Sequence, residues 1–234
     1  MSMTFADKVI QFNKQLDFTG SLPAGIRIMN PFRENPQVMG LMEQFYKKFY
    51  NDNDKRHLIL GINPGRFGGG VTGIPFTDPK RLKSVCGINY EGKETHEPSS
   101  VFVYEVIDAF GGPDAFYKHF YIHSIFPLGF TFTGQNGKEV NYNYYDSPAL
   151  TAAVYDAIID NIKKQIALGV YTDTCFCFGN GKNEKFLRKL NEQEKFFKNI
   201  VALEHPRFVM QYKSKSKDVY IAKYIAAFRG VLNQ

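Results

Sequence analysis

Short apolar runs alternate regularly with helical patterns along this chain, and this alternation limits the folds that it can adopt. Four apolar runs have the length and composition of strands buried on both faces: residues 57–60, 120–125, 174–178 and 199–203. Five other segments carry helical spacing or capping residues: 36–49, 99–110, 148–168, 183–190 and 217–232. Because strand, helix and strand in succession form a parallel crossover unit, the pattern predicts an α/β fold with three αβα layers around a central, mostly parallel four-stranded sheet.

The remaining segments predict one domain with an N-terminal extension. Residues 1–25 have the pattern of a helix followed by a loop, which we expect to pack on a single domain formed by residues 1–234. No internal repeat or interdomain linker interrupts the sequence. Residues 127–143 are rich in Gly, Asn and Thr, and a loop of about 17 residues is long enough to indicate a functional role.

Composition and cysteine usage exclude several classes of protein. Hydrophobic residues make up 44% of the chain and charged residues 22%, which excludes a disordered or collagen-like protein. Three cysteines, Cys86, Cys175 and Cys177, cannot supply a four-cysteine zinc or iron–sulfur site, and their apolar surroundings indicate reduced thiols in the cytoplasm. Without a signal peptide or an apolar run of about 20 residues, no membrane partner is expected. We expect a monomer with no metal and no organic cofactor.

The positive charge is concentrated at the end of the chain. Residues 181–234 contain 12 Lys and Arg against 5 Asp and Glu, a net charge of +7, whereas residues 1–180 contain 17 against 18, a net charge of −1. Such asymmetry is typical of a surface that binds a polyanion such as nucleic acid. The alternative is an ordinary solvated helix face rich in lysine.

Chemically useful residues follow the predicted strands, where open α/β sheets bind their ligands. Gly61-Ile62-Asn63-Pro64-Gly65 follows the first strand, and His205-Pro206 follows the fourth. Each has a structural alternative, because Asn before Pro is a common turn residue and His before Pro can close a strand. Parallel strands nevertheless end at one edge of a sheet, so Asn63 and His205 are predicted to share one site although 142 residues separate them.

The glycine-rich loop after the first strand leaves two further functions open. Residues 65–70 contain four glycines that can bring main-chain N–H groups close to a phosphate, which would suit a nucleotide- or phosphate-transfer enzyme. The motif GxxxxGK[ST] is absent, however, and so is a GxGxxG that opens a helix. A nucleic-acid-binding protein without catalysis is the second alternative, although it leaves Asn63 and His205 without a role.

Together these motifs resemble those of a known family. The further stretches that carry the likeness are Thr72-Gly73-Ile74-Pro75-Phe76, Met29-Asn30-Pro31 and His123-Ser124-Ile125-Phe126-Pro127-Leu128. With Gly61–Gly65 and His205-Pro206, they resemble the uracil-DNA glycosylase superfamily, and within it a bacterial subfamily of the single-strand-selective monofunctional (SMUG-type) branch. The likeness covers nearly everything after Ile26, and its specific part is a pair of motifs whose starts, Gly61 and Thr72, lie eleven residues apart.

The resemblance implies a monofunctional DNA glycosylase of base excision repair. Such an enzyme flips a base out of DNA and hydrolyses its N-glycosidic bond, and uracil is the expected base. Breaking this bond creates an oxocarbenium-like sugar and places negative charge on the departing base. Asn63 is then expected to orient the attacking water, and His205 to donate a hydrogen bond to the base oxygen. The expected substrate-binding residues are Gly61, Ile62, Gly65, Phe67, Phe76, on whose ring the flipped base stacks, and Ser124.

The basic end of the chain is expected to bind DNA, single- or double-stranded. Arg207 and Phe208 stand where the family places a loop that fills the gap left by the extruded base, and Lys213, Lys215 and Lys217 are expected to contact phosphates. The chain departs from the animal enzymes here, because these have His-Pro-Ser-Pro-Arg-Asn-Pro where this chain has His205-Pro206-Arg207-Phe208-Val209-Met210.

A second departure concerns the choice of base. The animal enzymes have an Asn, which pairs with the edge of uracil, where this chain has Ser124. A hydroxyl rotates and both donates and accepts, so it constrains the bound base less than an amide does. A deaminated purine such as xanthine is therefore a candidate second substrate.

Overall fold

The computed structural model describes residues 3–232 of the chain. Within this range seven strands form two sheets. The strands are β1 (Ile26–Met29), β2 (His57–Gly61), β3 (Phe120–Ser124), β4 (Gly129–Thr133), β5 (Glu139–Tyr142), β6 (Tyr171–Phe178) and β7 (Asn199–Leu203). The helices are α1 (Phe5–Lys14), α2 (Pro31–Glu34), α3 (Pro36–Phe49), α4 (Gly69–Thr72), α5 (Pro79–Ser84), α6 (Pro98–Phe110), α7 (Pro113–His119), α8 (Pro148–Ala167), α9 (Lys182–Glu194), α10 (Pro206–Tyr212) and α11 (Lys217–Leu232), with a 3-10 turn at Ser214–Ser216.

The central sheet has four strands in the order β3-β2-β6-β7, and all neighbouring pairs are parallel. This confirms the predicted α/β class and its four-stranded core. Residue pairing is in step at the carboxyl ends, where Gly61 lies opposite Ser124 and Phe178 lies opposite Leu203. The loops that follow these strands therefore emerge side by side at one edge of the sheet.

Helix boundaries follow the capping residues of the sequence. Asn35 accepts a hydrogen bond from the Gln37 N–H at the start of α3, and Ser147 accepts one from Leu150 at the start of α8. Both helices have proline at their first position, as predicted. The helix expected to begin at Ser99 or Ser100 begins instead at Pro98, because Ser100 uses its hydroxyl to bind the Asp78 N–H.

A second, three-stranded antiparallel sheet corrects the prediction of a loop at residues 127–143. There β4 and β5 form a hairpin, and β1 pairs with β4. Some of the Gly, Asn and Thr residues that suggested a loop lie within these two strands, and others form the hairpin turn, where Gly137 has φ +69°. Aromatic packing stabilises the hairpin, because the ring centres of Phe132 and Tyr142 lie 5.4 Å apart across it.

The N-terminal helix α1 begins with a reciprocal cap between Thr4 and Asp7, which occupies two main-chain N–H groups. Its buried face contributes Phe5, which packs against the rings of Tyr50 and Tyr121. Helix α1 thereby shares a hydrophobic cluster with α3 and the central sheet. The single-domain organisation stays a prediction.

Two further findings concern the sequence expectations on cysteines and membranes. Cys86, Cys175 and Cys177 are buried free thiols. Among residues 3–232, no helix combines the length and the apolar character that crossing a membrane requires.

Candidate active site

A cleft of about 590 Å³ opens at the carboxyl ends of the central strands. Asn63, which follows β2, and Ser124, at the end of β3, both line it. Phe76 and His205 line it as well, and His205 follows β7. The parallel strands thus bring Asn63, Ser124 and His205 together from distant parts of the sequence, and the loop after β2 adds Phe76.

The amide of Asn63 is held by main-chain groups at the end of β5 and in the turn that follows it. Its Nδ2 donates to the Tyr142 carbonyl over 3.1 Å, and its Oδ1 accepts from the Tyr144 N–H over 3.1 Å. Two opposite hydrogen bonds fix the orientation of the amide. Each end keeps one unused position, a hydrogen on Nδ2 and a lone pair on Oδ1, for a third partner.

The imidazole of His205 is held in one tautomer. Its Nδ1 accepts a hydrogen bond of 3.1 Å from the Arg207 N–H at the start of α10. A nitrogen that accepts carries no proton, so Nε2 carries the proton of the neutral ring. Burial, with a smaller effect of the Arg207 charge, lowers the pKa of His205 to about 4. At neutral pH the side chain is therefore an uncharged N–H donor in the wall of the cleft.

Phe76 depends on neighbouring residues for its position. It has φ +52°, a left-handed conformation that is costly for a bulky residue. Thr72 stabilises the turn, because its hydroxyl donates to the Thr77 carbonyl over 2.6 Å and accepts from the Ile74 N–H. The Phe76 ring then packs edge-on against Phe178 at 5.5 Å.

The Phe76 ring explains why the strand before Asn63 ends in a glycine, Gly61. A Cβ on this residue would lie 2.8 Å from the Phe76 ring. The close approach of strand and ring therefore requires the absence of a side chain. Gly61 lies behind the ring rather than in the lining of the cleft.

The other predicted site residues divide into two groups. Ile62, Gly65, Arg207 and Phe208 line the cleft. Phe67, Lys213, Lys215 and Lys217 lie outside its lining. Phe67 is 46% exposed, and Lys213 and Lys215 are exposed near the turn after α10. The ammonium of Lys217 lies 2.5 Å from the Glu105 carboxylate.

Several cleft residues were not predicted from the sequence. They include Glu97, Asn141, Tyr145, Lys182, Gln211 and Tyr212. Lys182 follows β6, so the rule that ligands bind beyond strand ends could have found it. Asn141 lies in the segment assigned to a loop, and Glu97 precedes a helix without any motif around it. Among residues 3–232, no group of three or more His, Cys, Asp or Glu side chains is arranged to hold a metal ion.

Comparison with known proteins identifies the class that this fold and cleft define. The sequence matches the uracil DNA glycosylase superfamily over residues 47–229. Its structure matches the crystal structure of wild-type Pedobacter heparinus SMUG2 with a TM-score of 0.97 and 68% sequence identity over 100% of both chains. No curated protein matches the chain.

The protein is thus a DNA glycosylase, a hydrolase of N-glycosidic bonds that acts on DNA in repair. The chain belongs to the uracil-DNA glycosylase superfamily, and its likeness to the bacterial SMUG-type protein confirms the branch that its motifs indicated. Membership in this family removes the two alternatives, a phosphate-transfer enzyme and a protein without catalysis.

Proposed function

We propose that this enzyme is a monofunctional glycosylase that removes uracil from DNA in base excision repair, with a deaminated purine as a second substrate. One observation carries the proposal: an orientation-fixed amide, Asn63, and a neutral N–H donor, His205, line the same cleft as the Phe76 ring. An oriented amide, a neutral donor and an aromatic ring meet the needs of hydrolysis, leaving-group stabilisation and base binding.

His205 stabilises the departing base. Negative charge grows on the base oxygen as the glycosidic bond breaks, so a donor placed there binds the transition state more strongly than the ground state. The hydrogen bond from the Arg207 N–H to Nδ1 leaves Nε2–H as the donor. Because the pKa of His205 is lowered to about 4, the donor needs no protonation at neutral pH.

Asn63 positions the attacking water. An oxocarbenium-like sugar is a strong electrophile, so the water needs orientation more than deprotonation. The Tyr142 carbonyl and the Tyr144 N–H hold the amide in place and leave its remaining lone pair to accept a hydrogen bond from water. With water as the nucleophile, the enzyme forms no covalent intermediate with DNA, which is the sense of monofunctional.

The flipped base stacks on Phe76. Such a contact is worth about 1–3 kcal/mol in proteins that bind single-stranded nucleic acid. Ile62 and Gly65 line the same cleft, whereas Phe67 lies outside its lining and has no role in this proposal. Gly61 acts indirectly, because its missing side chain lets the Phe76 ring approach the strand.

Ser124 supports a purine as a second substrate. Its side chain lies in the cleft, and its hydroxyl makes no hydrogen bond within the part of the chain that the structure describes. The main-chain carbonyl of Ser124 accepts from Gln165 over 3.1 Å, which anchors the backbone and leaves the hydroxyl free to rotate. A freely rotating hydroxyl adapts to either class of base.

The basic C-terminal region of the protein contacts DNA, and the protein acts as a monomer. Phe208 is 40% exposed on α10 at the cleft, beside Arg207, and is the candidate wedge that fills the gap left by the flipped base. Lys213 and Lys215 are exposed close to α10 and suit contacts with phosphates. Lys217 contributes less, because its ammonium is already paired with Glu105.

One experiment tests the proposal directly. Oligonucleotides that carry uracil, hypoxanthine or xanthine are incubated with excess enzyme, and alkali then cleaves the strand at each abasic site. We expect cleavage at uracil, and Asn63→Ala should lower its single-turnover rate by at least ~100-fold while DNA binding persists. Intact strands with the wild-type enzyme, or a wild-type rate for Asn63→Ala, would contradict the proposed mechanism.

A further inference from the structure

The carboxyl group of Glu97 lies against the glycine-rich loop that follows Asn63. A Cβ built on Gly68 would lie 1.9 Å from Glu97 Oε2, and one built on Gly65 would lie 3.1 Å from Oε1. Glycine at these two positions is therefore what admits the carboxyl group. Glu97 also lines the cleft that contains Asn63, Phe76 and His205.

The space beside Gly65 lies between an acid and an amide. The Cβ position of Gly65 is 3.1 Å from Glu97 Oε1 and 3.5 Å from Asn141 Nδ2. Asn141 is oriented, because its Oδ1 accepts a hydrogen bond of 3.2 Å from the Arg66 N–H. Two polar groups thus face one open position, two residues beyond the amide assigned to the attacking water.

A neighbouring carboxylate disfavours the charged form of Glu97. Asp78 accepts hydrogen bonds of 2.9 Å from the N–H groups of Arg81 and Glu97, and its Oδ2 forms an ion pair of 2.9 Å with the Arg81 guanidinium. The Asp78 carboxylate is thus fixed beside Glu97, and His96 lies 4.0 Å from the same oxygen. A second negative charge beside Asp78 is costly.

The other charges around Glu97 do not reverse this effect. Arg207, on α10, favours the charged carboxylate, and Arg66, on the glycine-rich loop, lies 3.7 Å from Glu139. Burial first, and Asp78 second, raise the pKa of Glu97 to about 7 against the weaker effect of Arg207. The side chain of Glu97 makes no hydrogen bond within residues 3–232. Its proton is therefore available to a ligand at neutral pH.

We propose that the Glu97 carboxyl group is a general acid for purine substrates, donating its proton to N7 of the flipped base. This inference rests on the proposed activity towards deaminated purines. As the bond between the sugar C1′ and N9 breaks, its electron pair passes to the purine and the Glu97 proton to N7. The base leaves as neutral hypoxanthine and Glu97 as a carboxylate. Water then adds to the sugar carbon, and the proton that it loses restores the acid.

The chemistry of the two substrates explains why the acid serves only one of them. Uracil has no imidazole ring, and the charge that develops on it falls on oxygens that an N–H donor such as His205 can stabilise. A departing purine also carries charge on its imidazole ring, where N7 accepts a proton. Beside Gly65, the Glu97 carboxyl group can donate its proton to N7 of the larger base.

The experiment compares single-turnover excision of uracil, hypoxanthine and 7-deazahypoxanthine from otherwise identical oligonucleotides. Glu97→Gln should lower the rate on hypoxanthine by about 10²- to 10⁴-fold, the usual range for a general acid, and leave the rate on uracil within about threefold. The wild-type enzyme should be slowed similarly when N7 is replaced by carbon, and Glu97→Gln should slow that analogue no further. Glu94→Gln, an exposed change in the same segment, is the matched control and should leave all three rates unchanged.

The pH profile provides a second measurement. A neutral acid is required, so the wild-type rate on hypoxanthine should fall by about tenfold per pH unit above pH 7, while the rate on uracil stays level. Glu97→Gln should remove this difference between the substrates.

Three results would overturn the inference. Equal losses on uracil and hypoxanthine would show that Glu97 supports the fold or the attacking water rather than a purine. A wild-type enzyme that excises uracil but neither hypoxanthine nor xanthine would refute both the general acid and the purine activity, and would leave the uracil mechanism standing. Full sensitivity of Glu97→Gln to the 7-deaza replacement would show that N7 meets another donor.

Discussion

Gly61→Ala should slow base excision by crowding the ring on which the base stacks. The added Cβ would lie 2.8 Å and 3.0 Å from two carbons of Phe76, whereas carbon atoms pack at about 3.5–4.0 Å. The ring must therefore retreat by about 0.5–1 Å. It has little space, since Phe178 and His205 lie with their ring centres 5.5 Å and 5.8 Å from its own. Gly61 itself has no left-handed φ, so alanine adds no backbone strain.

The magnitude follows from the contact that is lost. Base stacking on an aromatic ring is worth about 1–3 kcal/mol, so losing it should lower the single-turnover rate on uracil by about 5- to 150-fold. Gly40→Ala is the matched control, because nothing lies within 4 Å of its added Cβ on α3. That variant should keep the wild-type rate.

A double-mutant cycle identifies the cause of the loss. In a Phe76→Ala background the added Cβ meets no ring, so Gly61→Ala should then change the excision rate by less than about twofold. Wild-type activity in the single variant, or an equal loss with and without Phe76, would refute the reasoning.

Three further predictions concern the leaving group, the DNA and the base. His205→Ala should slow uracil excision by at least ~100-fold without weakening DNA binding. The wild-type rate should stay level down to about pH 6 and fall towards pH 4, because protonation of Nδ1 removes the acceptor for the Arg207 N–H that orients the ring. A level rate through pH 4 would contradict this role. Reversing the charge of Lys213 or Lys215 should reduce the slope of log affinity against log salt by about 0.7–0.9 each, and the same change at Lys217 should reduce it less; equal slopes throughout would remove these lysines from the interface. Ser124→Asn should raise the ratio of uracil to hypoxanthine excision rates, and an unchanged ratio would place base selectivity elsewhere.

The central sheet and its edge could be predicted from the sequence because the signals there are local. Helix α11 spans the predicted residues Lys217–Leu232, and β7 spans Asn199–Leu203 as predicted. The parallel arrangement then fixes which strand ends meet, so Asn63 and His205 could be assigned to one site without any contact being known.

The rest of the site depends on contacts between distant parts of the chain. Asn63 is held by Tyr142 and Tyr144, about 80 residues later, in a segment whose composition hides its strands. Glu97 has no neighbouring motif, and its pKa is raised by burial and by Asp78, neither of which a sequence pattern displays. Sequence patterns reveal strand ends, whereas burial and charge proximity require the folded chain.

The support of Asn63 by main-chain groups affects how this protein can change during evolution. A carbonyl and an N–H are present whatever side chains occupy positions 142 and 144, unless proline at 144 removes the donor. The amide can therefore keep its orientation while the supporting segment drifts in sequence. Insertions and deletions have different effects in two regions. The hairpin turn at residues 134–138 lies at the far end of β4 and β5 and can vary in length. One residue added between 142 and 144 would instead separate the two main-chain groups that bind the amide. Lineages of this enzyme should differ freely in the first region and keep a constant length in the second.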